Sequence, residues 1–238
     1  MNTQIKDLEV MDYPPLTEDL EEAKEHLDLY GMALIKNVLS TDEVDQMDQR
    51  LTEQFFGEEK FKVGSKVRGD EGLGVESSEE EKVSRLVWNL INKGDCFLKL
   101  IDHPKILPLI QHIIGERVCL CSMGAHMNGS GNERMALHQD QWPLVPHPMD
   151  FAFMANVMYL ISDNSQENGG TRLIPGSHKW PVLDYKTANS EEIQKMAVSL
   201  NAPKGTAIVW EGRVWHGNGL NRSGSIRSNI STAFLQPW

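Results

Sequence analysis

A chain of 238 residues that is 40% hydrophobic and 24% charged has ordinary globular composition, which excludes a wholly disordered or collagen-like chain. Its length fits one large domain or two small ones, and a chain of this size buries roughly 70% of its surface on folding, enough for a core without covalent staples. The formal charge of −11, from 34 acidic against 23 basic side chains, is opposite to what phosphate neutralisation requires, so nucleic acid and an anionic membrane surface are disfavoured as partners.

The opening MNTQIKDLEVMDYPP has neither a basic nor an apolar stretch, so no signal peptide is expected. No apolar run approaches the roughly 18 residues of a membrane span. The three cysteines, Cys96, Cys119 and Cys121, make no disulfide framework, and the expected compartment is a reducing cytoplasm.

In chain order, residues 17–30 (TEDLEEAKEHLDLY) place Leu20, Ala23, Leu27 and Tyr30 at helical spacing between a capping Thr17 and Gly31, and predict a helix. MALIKNVL (32–39) reads as a strand. Ser40 followed by Glu43 is a capping-box pattern that opens a helix over about 41–55. Residues 57–82 are rich in Gly, Glu and Lys and read as a mobile loop or lid. Helices are expected over about 83–100 and 104–114, the second with Pro104 near its first turn.

After Gly115 the texture changes. VCLCSMGAHM, ERMALHQD, FAFMANVMYLIS, TRLIPGS, GTAIVWEG and RSNISTAFLQ are short strand-like runs separated by Gly, Pro, Asn and Asp, the rhythm of a β-barrel or sandwich. The chain reads as one domain, 1–238, with a mainly helical part (1–115) packed on a β-core (116–238) that carries the site. Cys119 and Cys121 lack a second Cys/His pair at zinc spacing, and alternate strand positions facing the core are expected for them.

His138-Gln139-Asp140 places an imidazole and a carboxylate on one face of a strand, where they can share a metal ion. On its own the spacing fits a surface turn equally well. His216, in VWEGRVWHGNG, supplies a third ligand at the end of a strand-like run. Two His and one carboxylate form the facial triad of non-haem Fe(II) oxygenases, with coordination positions left open. Arg222 and Arg227 follow His216 by 6 and 11 residues. A planar two-pronged donor suits the far carboxylate of a dicarboxylate, and Arg227, on a strand-like run, is a better-held donor than Arg222 in a turn. Its bland alternative is a surface Arg on an edge strand. Gln139 points away from the metal by strand parity.

QENGGTRLIPGSHKW (166–180), set between HQD and WHGNGLNRSGSIRSNI, resembles the phytanoyl-CoA dioxygenase family of Fe(II)/2-oxoglutarate-dependent oxygenases, over about residues 25–235. The resemblance implies a mainly β fold with flanking helices: a double-stranded β-helix (a jelly-roll, cupin-like core) with N-terminal helices packed outside. It implies that His138, Asp140 and His216 are the iron ligands and catalytic centre, and that Arg227 pairs with the distal carboxylate of 2-oxoglutarate. Asn156 falls against the co-substrate, and Thr171 adds a hydroxyl near the same pocket. The implied cofactors are Fe(II), 2-oxoglutarate as co-substrate, and O2. The implied reaction hydroxylates or otherwise oxidises a C–H bond of a small organic metabolite and releases succinate and CO2. Halogenases of this superfamily replace the carboxylate ligand with a small residue, and Asp140 keeps this chain among the oxygenating members.

KFKVGSKVR (60–68) is the one basic cluster that could meet CoA phosphates, and a solvated loop explains it as well, so a small metabolite is preferred to an acyl-CoA. Residues 57–82 and WPLVPHPMD (142–150) are the candidate lid and entrance. Trp142, Trp210 and Trp215 could line a substrate pocket or fill the core. His126 reads as a core histidine first and a ligand contact second, His147 as a loop residue near the mouth, and His178 of PGSH as structural or at the entrance. A metal-binding cupin-like barrel without oxygenase activity, an isomerase or a binding module, is the alternative, but it would leave Arg227 without a purpose. Oligomeric state is left open.

Overall fold

A computed structural model describes residues 8, 11–63, 65–66, 84–130, 135–141, 150–181 and 183–237. Its elements in chain order are β1 (Leu16–Thr17), α1 (Leu20–Tyr30), β2 (Met32–Ile35), α2 (Thr41–Phe61), β3 (Ser65–Lys66), β4 (Ser84–Trp88), α3 (Leu107–Ile114), β5 (Cys119–Asn128) and β6 (Met154–Leu160). There follow β7 (Thr171–Leu173), α4 (Tyr185–Ala188), α5 (Glu191–Met196), β8 (Val198–Ser199), β9 (Ala207–Glu211), β10 (His216–Asn218) and β11 (Arg227–Leu235).

Eight strands form one large sheet in the order β1-β2-β9-β6-β11-β5-β4-β3, and three form a smaller one, β10-β7-β8. Side chains on a strand alternate between its faces, and on β6 the alternation sorts the chemistry. Ala155, Val157 and Tyr159 face the helices and join one apolar core with Leu27 of α1, Met47 and Leu51 of α2, and Leu109 and Ile110 of α3. Asn156, Met158 and Leu160 face the other way, and Leu160 packs with Leu173 of the small sheet and with Ile208 and Trp210 of β9. The result is three layers: helices, large sheet, small sheet. The cavity between the two sheets is lined on one side by Asn156 and Met158 and, by register, by Asn229 and Ser231 of β11 and His126 of β5.

Several expectations are corrected. Thr17 does not cap α1, because it is used in β1, paired in parallel with Ile35. The cap is Asp19, whose carboxylate accepts from the Glu21 and Glu22 amides at 2.8 and 3.2 Å. The capping box at Ser40 and Glu43 is present, but α2 runs to Phe61 instead of ending near 55, so 57–61 are helix and not loop. Glu58 holds this last stretch down through an ion pair with Lys93, and the Arg85 guanidinium sits 3.8 Å over the Phe55 ring. The remainder of the expected lid lies mostly outside the described residues, as does most of the expected entrance (142–149).

The helix expected over 83–100 is β4 followed by two 3-10 turns, Leu90–Asn92 and Asp95–Leu100. Pairing of β4 with β5 (Leu86 opposite His126) overrides the local helical pattern. α3 begins at Leu107 with Pro108 in its first turn, not at Pro104. Cys119 and Cys121 are exposed and not in the core; a bulge between Ala233 and Phe234 breaks the β5–β11 register beside them. The β-core is also not confined to 116–238, since β1 to β4 extend the large sheet at both of its edges.

Ser40→Ala removes the hydroxyl that accepts from the Glu43 amide at 3.3 Å and is expected to cost about 1 kcal/mol. The check is the urea midpoint at unchanged m-value.

Candidate metal centre

The site is assembled from a strand end and a segment held beside it. β10 begins at His216. Residues 135–141 are not a full strand, contrary to the reading of ERMALHQD. Within the described residues they make one two-bond bridge, His138 N–H to His216 C=O at 2.9 Å and His216 N–H to His138 C=O at 3.0 Å. Gly217 permits the approach, since a Cβ there would lie 2.8 Å from the Met135 carbonyl oxygen. Side-chain alternation then sends His138 and Asp140 inward. Gln139 turns outward, as parity requires, and donates to the Arg213 carbonyl.

The three side chains converge. His138 Nε2 lies 3.5 Å from Asp140 Oδ1, and His216 Nε2 lies 3.2 Å from Asp140 Oδ2. All three ligand atoms fall within 4.8 Å of one another, a spacing that lets one ion touch all three. The imidazoles are oriented from behind: His138 Nδ1 is 3.1 Å from the Ala136 carbonyl, and His216 Nδ1 is 3.0 Å from the Val214 carbonyl. A carbonyl only accepts, so each Nδ1 carries a hydrogen and each Nε2 is the atom presented to Asp140 and to the site. Burial pushes the Asp140 carboxyl up, but the facing imidazoles, His216 foremost, outweigh it and hold the group far below the usual carboxylate range. His216 is buried, while His138 and Asp140 remain partly open, so the centre has a protein-backed side and an accessible one.

The sequence motifs around the triad act as braces. Ser177 of PGSH accepts from the Trp215 amide at 2.9 Å, fixing the residue next to His216. His178 is buried beside it in a 3-10 turn, a structural place and not an entrance. In ENGGT, Gly169 has φ 69°, and a Cβ there would meet the Asn221 backbone nitrogen at 2.6 Å. On the far side of the triad, the Gln141 amide bonds the Gly212 carbonyl at 3.1 Å. The Gln141 side chain donates to the Phe151 carbonyl at 2.9 Å and accepts from the Phe153 amide at 3.1 Å.

Arg227 starts β11 and is 3% exposed. Its Nε and Nη1 have no hydrogen-bond partner among the described residues. Burial lowers its pKa to about 10, which leaves it cationic at neutral pH. Asn156 Nδ2 and Asn229 Oδ1 are also buried without a partner. A cation and unfilled amides on one inner surface suit an anionic, oxygen-rich ligand. Thr171 is brought to the same cavity, opposite Asn218 of β10, but its hydroxyl is already engaged with the Met158 sulfur at 2.9 Å. Arg222 is exposed in a turn.

His126 does not have the partners expected of a core histidine. It sits opposite Asn229 on the cavity face and makes no hydrogen bond to a described residue. Of the tryptophans, Trp210 lies beside the site with its ring 5.1 Å from that of His216, Trp215 belongs to an apolar cluster with Ile174, and Trp142 and His147 lie outside the described residues. Sequence reading missed Asn229, and it left Trp210 open between pocket wall and core. Counting two residues on from Arg227 finds the first, whereas the second needs the β6–β9 register, which places Trp210 opposite Asn156.

The fold and site together define a double-sheet protein with a candidate three-ligand metal site between its sheets. The sequence profile of the phytanoyl-CoA dioxygenase (PhyH) family matches residues 27–229, and the chain belongs to that family. It is 29% identical over 206 residues to dioxygenase af480 of Aspergillus fumigatus, covering 87% of this chain and 63% of that protein. It is 27% identical over 162 residues to a probable alpha-ketoglutarate-dependent hypophosphite dioxygenase of Stutzerimonas stutzeri, covering 62% of this chain and 55% of that protein. The chain thus spans less than two thirds of the length of these two curated relatives. Among solved structures, the non-heme alpha ketoglutarate dependent epimerase SnoN from nogalamycin biosynthesis superposes with a TM-score of 0.70 at 19% identity, covering 91% of this chain and 83% of that one. HygX from Streptomyces hygroscopicus, with nickel and 2-oxoglutarate bound, gives 0.70 at 13% identity, covering 91% and 87%.

Burial, then the Arg227 charge, lower the His126 pKa from 6.5 to about 4. The unfolded chain therefore takes up this proton first, so stability is full above pH 6.5 and falls as the pH drops towards 4. The metal-free protein is expected to lose about 2 kcal/mol between pH 7 and pH 5 from this group. Urea unfolding at the two pH values, in wild type and His126→Gln, measures it; the variant's loss should be smaller by that amount.

Proposed function

We propose that the chain is an Fe(II)- and 2-oxoglutarate-dependent dioxygenase that hydroxylates, or otherwise oxidises, a C–H bond of a small organic metabolite. One observation carries the reading: a three-ligand metal site and a buried guanidinium whose Nε and Nη1 have no partner among the described residues share the space between the sheets. His138, Asp140 and His216 would hold the metal, and the donor set fits: two imidazoles that present Nε2 and a carboxylate, all within 4.8 Å of one another. Arg227 would receive the far carboxylate of 2-oxoglutarate, and Asn156 would donate its unpaired amide hydrogen. Thr171 shapes the pocket through its contact with Met158.

With iron and 2-oxoglutarate bound, such a centre supplies O2-driven oxidation with succinate and CO2 as co-products. The chain's own part is geometry and exclusion. The backbone carbonyls behind both imidazoles fix their orientation, Arg227 sets the direction of the co-substrate, and Leu160, Leu173 and Trp210 form an apolar wall that keeps water from part of the cavity. Asp140 fills the carboxylate position, which favours oxygenation over halogenation.

Small-molecule substrates are supported by analogy. SnoN was solved with Fe3+, alpha ketoglutarate and nogalamycin RO, and HygX with nickel, 2-oxoglutarate and hygromycin B. The net charge of −11 speaks against a polyanionic acyl-CoA. No helix among the described residues is long and apolar enough to cross a membrane. The single-domain reading rests on β2 pairing with β9, which joins the first third of the chain to the site-bearing sheet. A cytoplasmic location rests on the cysteine usage alone.

Anaerobic Fe(II)-loaded protein titrated with 2-oxoglutarate should show a visible metal-to-ligand charge-transfer band. Arg227→Ala should weaken the apparent 2-oxoglutarate affinity by about 30-fold or more, the scale of truncating one partner of a buried charge pair, and His216→Ala should abolish the band. Folded, iron-loaded wild type without a band would overturn the reading.

A further inference from the structure

The ligand-bearing segment 135–141 is attached to a sheet on one edge only. Backbone N–H and C=O groups of successive strand residues point to opposite edges. Those of His138 are taken by His216. Those of Leu137 point the other way, where the small sheet has no further strand among the described residues.

Asn189 fills that edge with a side chain. Its Oδ1 accepts from the Leu137 amide at 2.8 Å, and its Nδ2 donates to the Leu137 carbonyl at 2.9 Å. A carboxamide offers one acceptor and two donors, so it can make the same pair of bonds that a neighbouring strand residue would. Asn189 is itself held. Its Nδ2 also donates to the Tyr185 carbonyl at 3.0 Å, and its Oδ1 also accepts from Gln194 Nε2 at 2.8 Å. Gln194 is in turn tied to Arg172 of β7, whose Nη2 donates to the Gln194 carbonyl at 2.8 Å. The Leu137 side chain is fully buried with Ile174, Ala188, Ile193 and Trp215, so the apolar contact and the polar clasp act on the same residue.

We propose that Asn189 is a positioning residue for the metal centre: its carboxamide replaces the missing strand and fixes the register of the segment that carries His138 and Asp140. The consequence of losing it follows from strand parity. A slip of one residue would turn both ligands out of the cavity, and a smaller loosening would move His138 relative to His216. Asn189 touches neither metal nor substrate. It acts through the Leu137 backbone, and 52 residues separate the two in sequence.

The inference rests on the metal-site reading above, and its test separates the two. Co(II) is the probe, read by its d–d absorption and by its dissociation constant, with far-UV circular dichroism and thermal midpoint measured in parallel. Asn189→Ala removes the clasp. Asn189→Asp keeps its size and its acceptor for the Leu137 amide but loses the donor to the Leu137 and Tyr185 carbonyls, so it serves if the alanine variant does not fold. Ser190→Ala removes the neighbouring cap of α5 (Ser190 Oγ to the Ile193 amide, 3.4 Å) and leaves the carboxamide in place.

The expected result is a 10- to 100-fold weaker Co(II) affinity and an altered d–d spectrum in the Asn189 variants, the range seen when groups behind metal ligands are removed. Ser190→Ala should bind Co(II) as wild type does, even if its thermal midpoint drops. Folded Asn189 variants with wild-type affinity and spectrum would overturn the proposal. If His138→Ala also bound Co(II) like wild type, the ligand assignment itself would have failed, not the clasp.

Discussion

The structure depends on two backbone hydrogen bonds, exchanged between His138 and His216. They are the whole of the described ladder between the segment that brings two candidate metal ligands and the strand that brings the third. A net hydrogen bond is worth only about 1 kcal/mol, so this bridge does not hold by strength. It holds because everything around it removes alternatives: Gly217 admits the segment at close range, Ser177 anchors Trp215, and Gln141 binds back to Gly212 and to Phe151 and Phe153 just before β6. The geometry of the site is thus overdetermined by many weak contacts.

The same economy appears in the large sheet. One face is apolar and covered by helices, which supplies stability. The other carries amides, a guanidinium and imidazoles, which costs it. A buried charge without its partner is penalised by on the order of several kcal/mol, and Arg227 is nearly such a case. The apolar layer formed by Val157, Tyr159 and Ile230 with the helices offsets that cost on the opposite side of the very strands that incur it. Occupation of the cavity by an anion would return part of it, so ligand binding and folding are coupled through β6 and β11.

How much of this could be read from sequence depends on the range of the interaction. The convergence of His138, Asp140 and His216 was legible because strand parity puts the first two on one face and metal chemistry calls for a third ligand of that type. The capping box at Ser40 was legible because it closes within one turn. The helix expected at 83–100 failed because its first residues are claimed by β5, a partner far along the chain. The end of α2 was misread because Gly57 suggests a break, whereas the ion pair of Glu58 with Lys93, outside the helix, carries it onward. Asn189 left no trace at all: a side chain that stands in for a strand has no period, no neighbouring motif and no characteristic spacing.

Gln141 has one more consequence. Its carboxamide binds the backbone at both Phe151 and Phe153, so the residue after Asp140 also clips the point where the chain returns to the sheet. Asp140 is thereby tied, through its neighbour, to the stretch that leads into the strand bearing Asn156. The carboxylate and the inner face of the large sheet are held as one body, so a displacement of either is felt at the other.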